Sequence, residues 1–69
     1  MLDAKTTERL IRLLGGNPAR ELAVCEYIAG KFGARGLHFL PERVARAILR
    51  RPDDFLRAVR RFREPELEL

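Results

Sequence analysis

Apolar residues recur along this chain at three- and four-residue spacing, in four runs punctuated by glycine and proline, and that period predicts helices rather than strands. In the first run Leu10, Ile11, Leu13 and Leu14 share one side of a helix, while Lys5, Glu8, Arg9 and Arg12 cover the other. Asp3 stands where it can cap that helix. The string LGGNPARE then ends one helix and begins the next. Gly15 and Gly16 follow the apolar run, Asn17 takes an N-cap position, and Pro18 sits at the first helical residue. The second helix is expected to run from about Pro18 to Phe32, turning Leu22, Cys25, Ile28, Ala29 and Phe32 inward, with Gly33 as a left-handed stop.

The segment GARGLH reads as a loop, and Leu37 and Phe39 near its end are expected to plug the bundle. Pro41 opens a third helix with Val44, Ala45, Ile48 and Leu49 inside. Pro52 breaks the pattern, so Phe55, Leu56, Val59 and Phe62 belong either to a fourth helix or to the third, kinked at Pro52. No stretch alternates long enough to make a strand. The expected fold is therefore all-α, a compact bundle of about four short amphipathic helices. Residues 1–63 would form one helical domain, and residues 64–69, EPELEL, a frayed acidic tail.

Length sharpens this picture, because a chain of 69 residues buries only about 60% of the surface its unfolded form exposes. One cysteine provides neither a disulfide nor a thiolate set for zinc, so stability must come from helix packing, from a partner, or from both. That cysteine usage suits a reducing cytoplasm. The start MLDAKTTERL lacks the layout of a signal peptide, and no run approaches the roughly 20 apolar residues of a membrane span, so a soluble, cytoplasmic protein is expected.

Candidate chemistry is sparse. His38 is the lone histidine and cannot make a zinc site by itself; it reads as a loop or core residue. Cys25, on the same side as Leu22 and Phe32, reads as a small core hydrophobe rather than a nucleophile. Asp53 and Asp54 begin a helix, where the N-terminal dipole and free N–H groups favour carboxylates. LGGN lacks the lysine of a phosphate loop. No enzymatic activity, cofactor or metal is expected from these residues.

The stretch YIAGKFGARG resembles, through Ile28, Ala29, Phe32 and Gly33, the IA-x-x-FG core of helix-turn-helix DNA-binding proteins. The likeness covers about ten residues and ends there. A recognition helix starting near Arg35 would carry Gly36 near its beginning and Pro41 in its interior, and neither Ser nor Thr occupies its cap. A helix ending in Phe-Gly yields the same string, so no family is assigned from it.

Charge adds a direction. The net charge is +4 and the pI ≈ 10.2, and most of the excess lies between residues 41 and 63, where eight basic groups meet three acidic ones. A basic region of this kind suits an anionic partner, although twelve arginines against two lysines are also what a GC-rich genome would encode. On the fourth helix Arg57, Arg60 and Arg61 share their side with Asp53 and Asp54, and pairs from Asp53 to Arg57 and from Glu64 to Arg60 or Arg61 are expected to blunt their field. The third helix differs. Arg43, Arg46 and Arg50 fall within about 60° of one another, opposite Val44 and Ile48, with Glu42 as the one close carboxylate. Arg51 and Arg35 would widen this stripe if the loop folds alongside.

Aligned guanidiniums suit phosphate oxygens, which they engage bidentately. A second surface is expected on the second helix, where Arg20, Val24, Tyr27 and Lys31 form a row; Val24 and Tyr27 would make a two-fold self-association contact. Two function classes follow. One is a small protein that holds the nucleic-acid phosphate backbone through Arg43, Arg46, Arg50, Arg51 and Arg35, with little base readout. The other is a protein-interaction or homodimerisation module whose arginines give solubility or meet an acidic protein partner.

Overall fold

The computed structural model describes residues 1–63, so the expected acidic tail, and with it Glu64, lies outside the described residues. Four helices follow in order: α1, Ala4–Leu14; α2, Pro18–Phe32; α3, Glu42–Arg50; and α4, Pro52–Arg63. A 3₁₀ turn, Leu37–Phe39, interrupts the connection between α2 and α3. There is no strand among the described residues, and the all-α bundle read from the hydrophobic period is the fold observed. The third and fourth runs are separate helices, because Arg51 leaves helical geometry (φ −136, ψ 69) and Pro52 opens α4.

Local chemistry sets the boundaries. Asp3 caps α1 by accepting the Thr6 N–H at 2.8 Å. Hydrogen bonds from Thr6, side chain first and backbone second, hold its carboxyl below the ordinary carboxylate range. A depressed carboxylate stabilises the fold above its unfolded pKa of 3.8 and loses that contribution as pH falls through the lower folded value, so this cap fails only in acid. Asn17 caps α2 by accepting from the Ala19 and Arg20 N–H groups. Gly33 ends α2 in the left-handed region at φ 66, donating to the carbonyls of α2's last turn. Asn17→Ala is expected to lower stability by about 1 kcal/mol, a drop in Tm of roughly 4–8 °C for a domain of this size. A thermal melt followed by circular dichroism measures it.

The core is small and drawn from every helix: Leu10 and Leu14 of α1, Val24 and Ile28 of α2, Ala45 and Ile48 of α3, and Val59 of α4. α2 packs along α4, while α1 lies on α3 and the 3₁₀ turn. Ala34 and Leu40, both in the α2–α3 connection, complete the core. They fill the place expected for Leu37 and Phe39, of which Leu37 is half-buried and Phe39 is exposed, its ring 4.2 Å from that of His38. Leu40 precedes Pro41, which forces it into extended geometry (φ −65, ψ 146) and so points it away from the 3₁₀ turn and into the bundle.

The largest correction concerns α2. Its inward face consists of Ala23, Val24, Tyr27 and Ile28, rotated by about a third of a turn from the expected one. Leu22 is 57% exposed and Phe32 41%; Cys25 and Ala29 are exposed as well. The reason lies on α4, whose rings meet this side. Tyr27 stands edge-on to Phe55 and to Phe62, with centroids 5.4 Å apart in each pair. Gly30 makes the approach possible, since a Cβ there would come within 3.1 Å of the Phe62 ring. In α1, likewise, Ile11 is 53% exposed where an inward position was expected.

Candidate nucleic-acid interface

α3 positions the arginine stripe. Ala45 and Ile48 are buried against the bundle, so the opposite side, carrying Arg43, Arg46 and Arg50, faces solvent, and all three are exposed. Arg46 is held by Glu42 at 2.6 Å across one helical turn. Arg43 and Arg50 make no ion pair among the described residues. An exposed pair such as Arg46–Glu42 contributes at most about 1 kcal/mol, so a phosphate can replace the carboxylate at little cost.

Arg51 does not extend the stripe as a free cation. It turns toward α4 and bonds Asp54 at 2.9 Å. Asp54 also meets Arg57 at 3.7 Å, taking the role expected of Asp53. The reason is geometric: Arg51 sits in the α3–α4 junction, and its i+3 neighbour lies in the first turn of α4, where a carboxylate is favoured by the helix dipole. Arg35 is exposed in the connection that follows α2, on a different element from the stripe. The structure thus brings Arg43, Arg46 and Arg50 onto one helix face and leaves Arg35 and Arg51 with other surroundings.

On α4, Arg57, Arg60 and Arg61 are exposed as well. Arg57 is engaged by Asp54, and Asp53 shares the same polar side. α3 therefore has one carboxylate on its basic side where α4 has two.

The self-association row is corrected by the core. Val24 is 2% exposed and part of the hydrophobic cluster, so it has no surface to offer a second copy. Tyr27 is half-buried, with its ring covered by Phe55 and Phe62 of the same chain. Cys25, expected inside, is instead exposed and lines an apolar groove between α1 and α2 with Ile11, Gly15 and Leu37.

Sequence reasoning missed a second groove, at the junction of α2, α3 and α4. Tyr27, Phe32 and Phe55 line it with Ala47, and Arg51 and Asp54 stand among its polar groups. Two signals in the sequence pointed toward it. Gly30 lies three residues from Tyr27 in the last turn of the expected helix, which marks a close approach on that side, and Phe55 is spaced two turns from Phe62, which matches one ring lying between two others.

Helix-turn-helix units join their helices by a turn of about three to four residues, whereas here nine residues including a 3₁₀ turn separate Phe32 from Glu42. The likeness of YIAGKFGARG to that motif is thus confined to the end of α2. No family model, curated protein or solved structure matches the chain. No described helix is long and apolar enough to cross a membrane, and no group of three or more potential metal ligands occurs among the described residues.

Proposed function

We propose that this is a small non-enzymatic binding protein of the cytoplasm that associates with nucleic acid by holding phosphates on the outer face of α3. The observation that carries this reading is the state of the stripe: Arg43 and Arg50 are exposed and form no ion pair among the described residues, and Arg46 between them has a single exposed partner. Guanidiniums in one line, one and two turns apart, match a row of phosphate oxygens and engage them bidentately. Apart from Glu42, which is paired with Arg46, the side chains beside them on α3 are alanine, valine, isoleucine and leucine, with no Asn or Gln amide to read base edges, so contact to the backbone dominates and sequence preference is weak.

The test is equilibrium binding of the purified chain to a fluorescent DNA duplex across a range of salt. Each phosphate neutralised contributes about −0.9 to the slope of log affinity against log salt. Three contacts therefore weaken binding by about 40-fold between roughly 50 and 200 mM salt. Absence of affinity for DNA or RNA at about 50 mM salt would overturn the proposal. A protein-interaction module would then take its place, and its surface would be the exposed apolar side of α1 and α2 around Ile11 and Leu22, not the buried Val24.

A further inference from the structure

We infer that the groove between α2, α3 and α4 takes an unpaired base, so that the ligand of this protein is single-stranded nucleic acid whose phosphates lie along α3. This inference rests on the proposed function and specifies the form of its ligand. Tyr27 by itself would be a weak stacking platform, but the fold does not leave it alone. Phe32 stands at the C-terminal end of α2 with its ring 6.3 Å from that of Tyr27 at 74°, and Phe55 meets Tyr27 from α4 at 90°. The three rings line one open groove of about 390 Å³, within the roughly 300–1,000 Å³ typical of small-molecule sites. Phe32 keeps 41% of its surface exposed, which leaves part of the side chain open to a ligand.

The charged surroundings fit the rest of a nucleotide. Val44, Ala47 and Ile48 line the groove from α3, and Ala47 is the one on the edge nearest the arginine stripe. Arg43 lies four residues before it and Arg50 three residues after it, so helical geometry places both next to Ala47, one turn to either side. Arg51 reaches the groove itself, and the carboxylate there, Asp54, is neutralised by Arg51 and Arg57. An aromatic concavity with cations beside it is complementary to a base and its flanking phosphates. A duplex cannot use it, because its bases are stacked on one another and their faces are closed, whereas a single strand offers a free π-face at every base. An apolar peptide would fill the rings but leave Arg43 and Arg50 without a counterpart.

The chain contains no tryptophan, so Phe32→Trp places a sole indole in the groove as both stacking partner and reporter. The probe is an oligothymidylate of about twelve nucleotides, long enough for a site of the usual roughly 4–16 nucleotides, with a duplex of equal length as control. Expected are quenching of the indole emission by the single strand and not by the duplex, and loss of that quenching when Arg43 and Arg50 are changed to glutamate. Phe32→Leu, which keeps an apolar side chain without a π-face, should weaken single-strand binding by about tenfold and leave duplex binding unchanged, with far-UV circular dichroism showing an intact fold. If duplex binds while the single strand neither quenches the indole nor depends on an aromatic residue at position 32, the base-binding groove is wrong and the phosphate-binding stripe stands. If neither nucleic acid binds at about 50 mM salt, both fall.

Discussion

Ile28→Ala is expected to lower the unfolding free energy by about 2–5 kcal/mol, the range for truncating a fully buried aliphatic side chain and leaving a cavity. Ile28 has no exposed surface and lies with Leu10, Leu14, Val24 and Leu40 in a core of nine buried residues among those described. At roughly 0.05–0.15 kcal/mol per residue, a domain of this length has only about 3–10 kcal/mol of total stability. Val24→Asp should be more severe, since it places an unpaired carboxylate where no polar partner is buried. The measurement is a urea titration followed by circular dichroism. Ile28→Ala should keep a cooperative transition at a much lower midpoint, and Val24→Asp should show little helix in the absence of denaturant. A folded, helical Val24→Asp protein that merely changes its oligomeric state would put Val24 back on the surface and overturn the assignment of α2's inward face.

How far the sequence determines this fold can be seen helix by helix. The ends of α1 and α2 were legible because they are decided locally, by Asp3, by Asn17 with Pro18, and by Gly33 at positive φ. The orientation of α3 was legible as well, because arginines alternate with Val44, Ala45 and Ile48 in strong contrast and only one rotation of the helix buries the apolar side. α2 offers no such contrast. Leu22, Ala23, Val24, Cys25, Tyr27, Ile28, Ala29 and Phe32 occupy most of its circumference, so two inward faces satisfy the same period. The choice between them is made by α4, through Phe55 and Phe62 packing on Tyr27 and Gly30, and contacts between residues some thirty positions apart leave no trace in a local pattern.

The same division holds for the candidate site. The stripe was legible as angles on one helix. Its compensation was legible only in part, because the Arg46–Glu42 pair follows from i,i+4 spacing, whereas the Arg51–Asp54 pair depends on the angle at which α4 leaves the junction. Of the aromatic groove, the sequence held only the separate traces at Gly30 and in the Phe55–Phe62 spacing, since the groove itself exists where three helices meet.

Reversal of Arg43, Arg46 and Arg50 to glutamate is the second change with a large expected effect. At about 0.1 M salt, three phosphate contacts contribute roughly 500-fold to affinity through counterion release, and reversal adds repulsion to that loss, so binding should fall below detection. The fold should persist, because all three residues are exposed and substitutions at such positions shift stability by about half a kcal/mol or less each. Reversal of Arg57 and Arg61 should weaken binding less, since two carboxylates, Asp53 and Asp54, share their side of α4 where the stripe on α3 has one.

The salt slope of the alanine variants tests the role of α3 most directly, because it counts neutralised phosphates without introducing new repulsion. Binding of one DNA duplex would be measured from about 50 to 200 mM salt for the wild type, for Arg43, Arg46 and Arg50 changed together to alanine, and for Arg57, Arg60 and Arg61 changed together to alanine. Loss of the α3 arginines should flatten the slope by about 2.7 units, or 0.9 per contact, and loss of the α4 arginines should flatten it by less than one contact's worth. Equal flattening by the two triple variants would contradict this, and would mean that the protein binds by net charge with no helix serving as its site.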